Sequence, residues 1–137
     1  MKQSIAIAVC LLASLGAVRA SAQDHAAKAN VPFGFYVGDT WVPAGTYVMS
    51  SEASNPLLIS IRNAETSKTL MTLGGPDDPQ PGSNKLVFAK YGDKYFLHEI
   101  QSGRGIHVAF SQSKRERLTE EREASVAPPS TIYLALR

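Results

Sequence analysis

The segment Lys85–Gln101 constrains the fold of this chain most, because two strand-forming runs flank a Gly92-Asp93 pair. Glycine adopts a positive φ without steric cost, and aspartate tolerates such geometry better than most residues. The pair therefore predicts a tight two-residue hairpin turn, with Tyr91 and Lys94 on either side of it. The register that follows pairs Lys90 with Tyr95, Ala89 with Phe96, Phe88 with Leu97 and Leu86 with Glu99.

Both faces of this predicted hairpin are largely apolar. One face carries Leu86, Phe88, Tyr95 and Leu97, and the other carries Val87, Ala89, Phe96 and Ile100. A strand pair of this kind needs cover on each side, so we expect the hairpin inside a sheet and not in a solvated flap. No residue in the hairpin needs a chemical role.

Short runs with alternating or β-branched apolar residues recur along the rest of the chain, separated by turn-forming residues. These runs are Val31–Val37, Thr40–Val42, Thr46–Ser50, Leu57–Arg62, Lys68–Leu73, Ile106–Phe110 and Thr131–Leu136. The longest interruption, Gly74–Asn84, contains three prolines and is predicted to be a loop. The pattern predicts a mostly β fold, a small antiparallel barrel or sandwich of about eight strands, and leaves the choice between the two open.

One short helix is predicted in the C-terminal half, over Ser113–Ala124. Ser113 and Glu116 have the spacing of a capping box, with the serine at the N-cap. Only Leu118 and Ala124 are apolar in this segment, so we expect the helix to contact the body along one narrow edge. Its charged surface is a candidate for partner binding, although such runs are usually solvated.

The N-terminus has the features of a secretory signal peptide. Met1–Lys2 provides a positive start, Ile5–Val18 is an apolar run, and Ala20–Ala22 fits the small-x-small rule for signal peptidase. The alternative is a membrane anchor, which is disfavoured because the run is shorter than the roughly 20 residues that a spanning helix needs. We predict a signal peptide over residues 1–22 and a periplasmic or secreted protein after cleavage near Ala22.

The predicted mature chain begins with a polar, Ala-rich stretch, Gln23–Asn30, which we interpret as a disordered lead-in. A single β domain over residues 31–137 follows. The only cysteine, Cys10, lies inside the leader, so this domain has no thiol and must be held together by its core. Lipid attachment is not expected there, because the apolar run continues beyond Cys10 to Val18.

The predicted mature chain is formally neutral. Loss of Lys2 and Arg19 leaves 12 of the 14 basic residues against 12 acidic ones. Electrostatics alone therefore give no reason to expect nucleic acid or an anionic membrane as a partner.

Five blocks of the sequence give it a resemblance to a known group of proteins. The blocks are Asn30–Phe35, Val37–Asp39, Pro43–Tyr47, Tyr91–Leu97 without Lys94, and Ser113–Arg117, in that order. This order resembles an uncharacterised family of small exported β-rich proteins common in soil acidobacteria. The resemblance covers nearly the whole mature chain. It implies export and a one-domain bacterial protein, and it transfers no site residue.

Three histidines, His25, His98 and His107, are candidates for catalysis or metal binding. The His98-Glu99 pair begins like a zinc-protease motif, but Ser102 stands where the second histidine is required. His107 is able to approach His98 if their strands pair, yet no third ligand has suitable spacing. We therefore predict no metal site, no catalytic residue and no cofactor.

Two further patterns also fail to predict a site. Asp77-Asp78 lies in the long loop, where Pro79 and Pro81 interrupt the alternating ligands that a calcium loop needs. The Ser102–Gly105 turn has glycines but no following helix to hold a phosphate, and the chain has no Gly-x-Ser-x-Gly elbow. An enzyme is consequently the least favoured class of function.

The aromatic side chains of the strands leave two other classes of function. They are Phe33, Phe35, Trp41, Tyr47, Phe88, Tyr95 and Phe96. Most of them must form the core. Because no nucleophile, metal or phosphate motif is assembled, the leading hypothesis is a non-catalytic exported β-domain that acts by binding or as an envelope component, with an envelope protein as one partner to consider. If a minority opens onto a pocket, the runner-up applies, which is a lipocalin-like carrier of a small apolar ligand. We expect no stable membrane insertion after the signal peptide is cleaved.

Overall fold

The computed structural model describes residues 26–137, which fold into eleven β-strands and one α-helix. The strands are β1 Ala26–Val31, β2 Phe35–Val37, β3 Thr40–Val42, β4 Gly45–Glu52, β5 Asn55–Asn63, β6 Thr69–Leu73, β7 Gly75–Pro76, β8 Lys85–Tyr91, β9 Lys94–Ser102, β10 Ile106–Ala109 and β11 Ser130–Ala135, and the helix is α1 Lys114–Glu123. The predicted mostly β class with one late helix is confirmed. The predicted signal peptide lies outside the described residues.

The strands form two sheets that join into one curled, barrel-like wall. The smaller sheet has the order β1-β4-β5-β6, the larger has the order β11-β8-β9-β10-β7, and these neighbours are antiparallel. At one junction the chain itself passes from β6 into β7. At the other junction Lys28 and Arg137 exchange two backbone hydrogen bonds of 3.2 and 2.8 Å.

The main core lies on the inner face of this wall, because the strands alternate between inward apolar and outward polar residues. Its largest fully buried members are Phe35, Met49, Ile59, Ile61, Leu86, Phe88, Ile100 and Ile106. A second, smaller cluster of Ala89, Tyr91 and Phe96 lies apart from the main core and packs against Tyr36. The two clusters together provide the two-sided cover that the apolar hairpin requires.

The predicted central hairpin is confirmed, but part of its predicted register is wrong. Gly92 has φ +62° in the turn, and β8 and β9 pair as expected from Tyr91 as far as Phe88. Beyond that point a bulge adds a residue to β9, so that Leu86 lies opposite Ile100 and not opposite Glu99. Ile100 therefore belongs to the main core and not to the outer face.

The predicted disordered lead-in is wrong for the residues that the structure describes. Ala26–Val31 is strand β1, and its residues pair with β4 from Ala26↔Ser50 to Val31↔Gly45. Ala27 and Ala29 point into the core, and such small side chains give little of the alternating apolar signal that identifies a strand. Gln23–His25, the remainder of the predicted lead-in, precedes the described residues.

Two other predicted boundaries also change. The run Val31–Val37 is interrupted at Pro32–Gly34 and divides into β1 and β2. Pro32 has no N–H for a ladder, which explains the break. The predicted loop Gly74–Asn84 contains a short strand at its start, because β7 pairs with β10 through Pro76↔Val108.

The predicted helix is confirmed as α1, capped by Ser113, whose Oγ accepts a 3.1 Å hydrogen bond from the Glu116 N–H. The apolar residue Leu118 is 44% exposed, so it does not form the narrow contact edge. Glu116 and Thr119 are the buried residues of α1 and form that edge instead. No helix within residues 26–137 is long and apolar enough to cross a membrane.

Replacement of Phe96 by alanine is expected to lower the free energy of unfolding by about 3–5 kcal/mol, because the side chain is 1% exposed and its removal leaves a cavity. Urea denaturation of the two proteins measures this difference. The matched control is Tyr133→Ala, which truncates an aromatic residue that is 61% exposed and should cost less than about 1 kcal/mol. Equal losses in both variants would contradict the assignment of Phe96 to a buried cluster.

Candidate functional site

The first cluster with chemical potential is centred on Glu116, the only buried acidic side chain among residues 26–137. Its Oε1 accepts a hydrogen bond of 2.9 Å from the Tyr91 hydroxyl and also contacts Nε2 of His98. Tyr91 lies at the end of β8, and His98 lies at the bulge of β9. One carboxylate of the helix therefore joins both strands of the central hairpin, and we call these three residues the helix clasp.

The environment of the helix clasp shifts the pKa values of two of its members. Burial, together with the Glu116 carboxylate, raises the pKa of Tyr91 from 10.0 to about 12. The hydrogen bond to Glu116 raises the pKa of His98 above its ordinary value of 6.5, against the opposing effect of burial. Glu99 and Glu120 also face His98 and act in the same direction as Glu116. The clasp therefore favours a protonated, cationic His98 beside a neutral tyrosine.

The second histidine of the described region, His107, lies in a separate hydrogen-bond chain. Its Nδ1 is 2.9 Å from Oε1 of Gln101, and the Nε2 of Gln101 donates to Asp77. Gln101 is fully buried, so both ends of its amide have partners. Asp77 thus ties the long loop to the sheet.

The structure does not bring the candidate ligands together. His98 and His107 belong to neighbouring strands, but each is engaged in its own network. Within the described part of the chain, no three His, Cys, Asp or Glu side chains are grouped so that they could hold a metal ion. His25 precedes the described residues. The chemistry available at the helix clasp is the holding of one proton between a histidine and a carboxylate.

The second candidate site is an opening that we call the apolar recess. It is a cavity of about 230 Å³ lined by Thr40, Trp41, Val42, Pro43, Tyr47, Ile61, Asn63, Thr66, Lys68, Thr69 and Leu70. Three consecutive residues of β3 border it on one side, and consecutive residues of β6 border it on the other. Successive residues of a strand point to opposite faces of the sheet, so a cavity that contacts consecutive residues lies along the edge of the strand. An edge of β3 and an edge of β6 therefore flank the recess.

The pairing pattern explains why an opening exists at this point. Among residues 26–137, β3 pairs only with β2, and β6 pairs only with β5. Each of these strands therefore has one edge without a hydrogen-bonded strand beside it. The apolar recess is lined by residues of both strands and lies between them.

Local interactions hold the rim of the apolar recess in place. The indole of Trp41 lies over Gly34, where a Cβ atom would come within 2.8 Å of Trp41 Cζ2. Only glycine fits beneath the ring, because a larger residue would displace it. The Tyr47 hydroxyl donates to the carbonyl of Pro43, and Asn63 Oδ1 accepts from two backbone N–H groups of the β5–β6 turn. These contacts fix the positions of the residues at the rim.

The aromatic set predicted from the sequence divides as follows. Phe35, Tyr47, Phe88 and Phe96 are buried. Phe33 and Tyr95 are partly buried and stack with ring centroids 3.7 Å apart. Trp41 alone of the set is exposed, at 58%, and lies at the rim of the apolar recess. Most of these residues therefore form the cores, and only Trp41 and Tyr47 line this opening.

Comparisons with protein-family models, with curated proteins and with solved structures found no match to this chain. The resemblance carried by the five sequence blocks therefore stays a prediction. The geometry of the site is therefore the basis for the functional proposals below.

The helix clasp predicts a pH-dependent contribution of His98 to stability. The pKa of His98 is raised in the folded state, so the protonated imidazole stabilises the fold. This stabilisation is fully present below the unfolded-state pKa of 6.5 and is lost as pH rises through the folded-state pKa. The difference in unfolding free energy between the wild type and His98→Gln should therefore be larger at about pH 6 than at about pH 9. Urea denaturation at a series of pH values measures it.

Two variants serve as controls for the helix clasp. Glu116→Gln should greatly reduce the pH dependence of the His98 effect, because the carboxylate in contact with the imidazole is gone and only Glu99 and Glu120 remain to raise its pKa. The same variant should lower the pKa of Tyr91 from about 12 toward its ordinary value of 10.0, as followed by ultraviolet titration. Tyr91→Phe removes a hydrogen bond but should leave the pH dependence intact. A His98→Gln effect of constant size across this pH range would refute the assignment.

Proposed function

We propose that this protein is a non-catalytic exported β-domain that binds an extended, apolar segment of an envelope protein at the apolar recess. The observation that carries the proposal is the recess itself, an apolar cavity flanked by two strand edges that have no paired neighbour in the described region. A strand edge offers a row of backbone donors and acceptors, which an added extended chain satisfies.

The size and shape of the recess favour a side chain over a free ligand. Its volume of about 230 Å³ lies below the range of about 300–1,000 Å³ that is typical of small-molecule pockets. One large apolar side chain has about the volume to fill it. An extended segment would place that side chain against Tyr47 and Ile61 while its backbone runs beside β3 or β6.

The charge at the apolar recess indicates which second residue the bound segment would carry beside its apolar side chain. Lys68 is the only charged residue among those that line it. An acidic residue in the bound segment would therefore pair with Lys68 at the end of the recess next to the β5–β6 turn. Trp41 at the rim would cover the apolar side chain, a role for which exposed tryptophan is well suited.

The hydrogen bonds of both described histidines support the proposal that the protein is non-catalytic. His98 is engaged with Glu116, and His107 is engaged with Gln101. Neither histidine forms a hydrogen bond with a serine, threonine or cysteine of residues 26–137, so neither is arranged as the base of a nucleophile. The export part rests on the basic start, the apolar run and the cleavage-site pattern within residues 1–22.

The export proposal predicts that the protein isolated from its native host lacks residues 1–22 and starts at Gln23. Intact-mass measurement of the protein from the envelope and culture fluid tests this directly. A variant with Ala20 and Ala22 both changed to lysine should keep its leader, because signal peptidase requires small residues there. A full-length mass in the cytoplasmic fraction of wild-type cells would contradict the proposal.

The binding proposal predicts site-specific cross-linking. The photoreactive amino acid p-benzoylphenylalanine is placed at position 41 of the full chain in the native host, and at position 133 as the matched control. Both positions hold exposed aromatic residues, but only Trp41 borders the apolar recess. We expect a protein cross-link from position 41 alone, and mass spectrometry should place it in an extended segment with an apolar residue next to an acidic one.

The cross-linked segment, made as a synthetic peptide, permits a quantitative test. Trp41 is the only tryptophan of the chain, so its fluorescence reports the recess without interference, and binding should shift the emission to shorter wavelengths. Lys68→Glu should weaken binding by about tenfold, whereas Lys90→Glu, distant from the recess, should not. Equal cross-linking from both positions would refute the proposal. A stoichiometric small-molecule adduct that is lost in Trp41→Ala would favour the lipocalin-like carrier instead.

A further inference from the structure

A second groove, on the outer face of the smaller sheet, carries a concentration of positive charge. It has a volume of about 550 Å³ and is lined by Ala26, Ala27, Lys28, Val48, Ser50, Ser60, Arg62, Arg104 and Arg137. Four of these residues are basic and none is acidic. The described part of the chain has 12 basic and 11 acidic residues and is therefore nearly neutral. The groove, in contrast, has only positive charges among its lining residues. We call this feature the basic groove.

The strand register arranges three of these cations in a row. Lys28 lies opposite Val48 on β4, and Val48 lies opposite Arg62 on β5, so Lys28 and Arg62 are two strand spacings apart, about 10 Å. Arg137 exchanges backbone hydrogen bonds with Lys28 on the other side, at about 5.5 Å between Cα atoms. The row therefore spans about 15 Å across the junction of the two sheets.

The charges in this row are not neutralised by acidic side chains of the described region. Lys28, Arg62 and Arg137 form no ion pair with an Asp or Glu among residues 26–137. Arg104 forms one end of the groove, where its guanidinium donates a 3.3 Å hydrogen bond to the carbonyl of Ala26. An anion placed between these cations would be attracted by more than one of them.

The floor between the cations is small and partly polar. Beside the row of cations, two residues further along each strand, lie Ala26, Ser50 and Ser60. These three residues pair with one another across β1, β4 and β5. These short side chains leave room for a ligand, and the serine hydroxyls are able to donate to its oxygens. Arginine and lysine both bind phosphate strongly, the first through a planar fork and the second as a point charge.

We propose that the basic groove binds a ligand that carries two or more phosphate groups. Such a ligand would bridge Lys28 and Arg62 across the row, with Arg137 beside it. The phosphate groups belong either to a free phosphorylated compound or to a lipid headgroup, and both present the same chemistry to the groove. The proposal does not depend on partner binding at the apolar recess, because the groove is lined by different residues.

Isothermal titration calorimetry with tripolyphosphate at low ionic strength tests the proposal on the mature chain. The double variant Lys28→Ala/Arg62→Ala should weaken binding by about tenfold or more. The matched control is Lys114→Ala/Arg122→Ala, which removes the same charge from another groove with four basic residues, lined also by Asp39. This control should change the affinity by less than about twofold. All four residues are exposed, and thermal unfolding verifies that both variants fold.

A second arm identifies the source of the phosphate. Vesicles that contain cardiolipin, a lipid whose headgroup carries two phosphates, are sedimented with the same three proteins, and phosphatidylcholine vesicles serve for comparison. Tripolyphosphate binding without sedimentation supports a free phosphorylated ligand. Sedimentation with cardiolipin vesicles that the Lys28/Arg62 variant loses supports a lipid headgroup. Equal loss in both double variants, or no interaction with either probe, would overturn the proposal.

Discussion

The central hairpin of β8 and β9 must be covered on both faces, and the rest of the domain provides the two covers. Phe88 and Leu97 point into the main core, whereas Tyr91 and Phe96 belong to the second cluster on the other face. Helix α1 has almost no apolar surface to offer there, so its contact is polar and centred on Glu116. A buried carboxylate is tolerated only when its hydrogen-bond partners are present, which makes Tyr91 and His98 necessary to the arrangement.

Local signals in the sequence were sufficient for the turn, the helix and the fold class. Gly92-Asp93 specifies a turn, Ser113 caps the helix, and the alternation specifies strands. The bulge at His98 was not predictable, because it depends on how β9 meets the two strands beside it and not on the residues of the hairpin alone. Strand β1 was missed because Ala27 and Ala29 are buried by pairing with β4 and not by strong hydrophobicity of their own.

The sites were harder to predict, because strand order brings together residues that are far apart in the chain. Glu116 is 25 residues from Tyr91 and 18 from His98. The basic groove gathers cations from β1, β5, the β9–β10 turn and the end of the chain, and a composition close to neutral conceals them. The aromatic residues left two alternatives open, a core and a pocket. The contact between Trp41 and Gly34 at the rim of the recess appears only when β2 and β3 are folded.

Hydrogen bonds join helix α1, which carries Glu116 of the helix clasp, to the β2–β3 turn, and strand β3 after this turn lines the apolar recess. The Ser113 hydroxyl donates to the carbonyl of Gly38, and the N–H of Arg115 donates to Asp39, so the N-terminus of α1 holds this turn from one side. The Arg115 guanidinium also lies 5.3 Å from the ring centre of Tyr36, which pairs with Trp41 across the hairpin. Strand β2 itself pairs with β9 only at Tyr36↔Phe96, so the sheet alone fixes the hairpin weakly. The β2–β3 hairpin is therefore held in two ways, through the burial of Phe35, Val37 and Val42 in the main core and through the contacts of α1 with its turn. The buried Glu116, which anchors α1, thus supports one side of the recess rim.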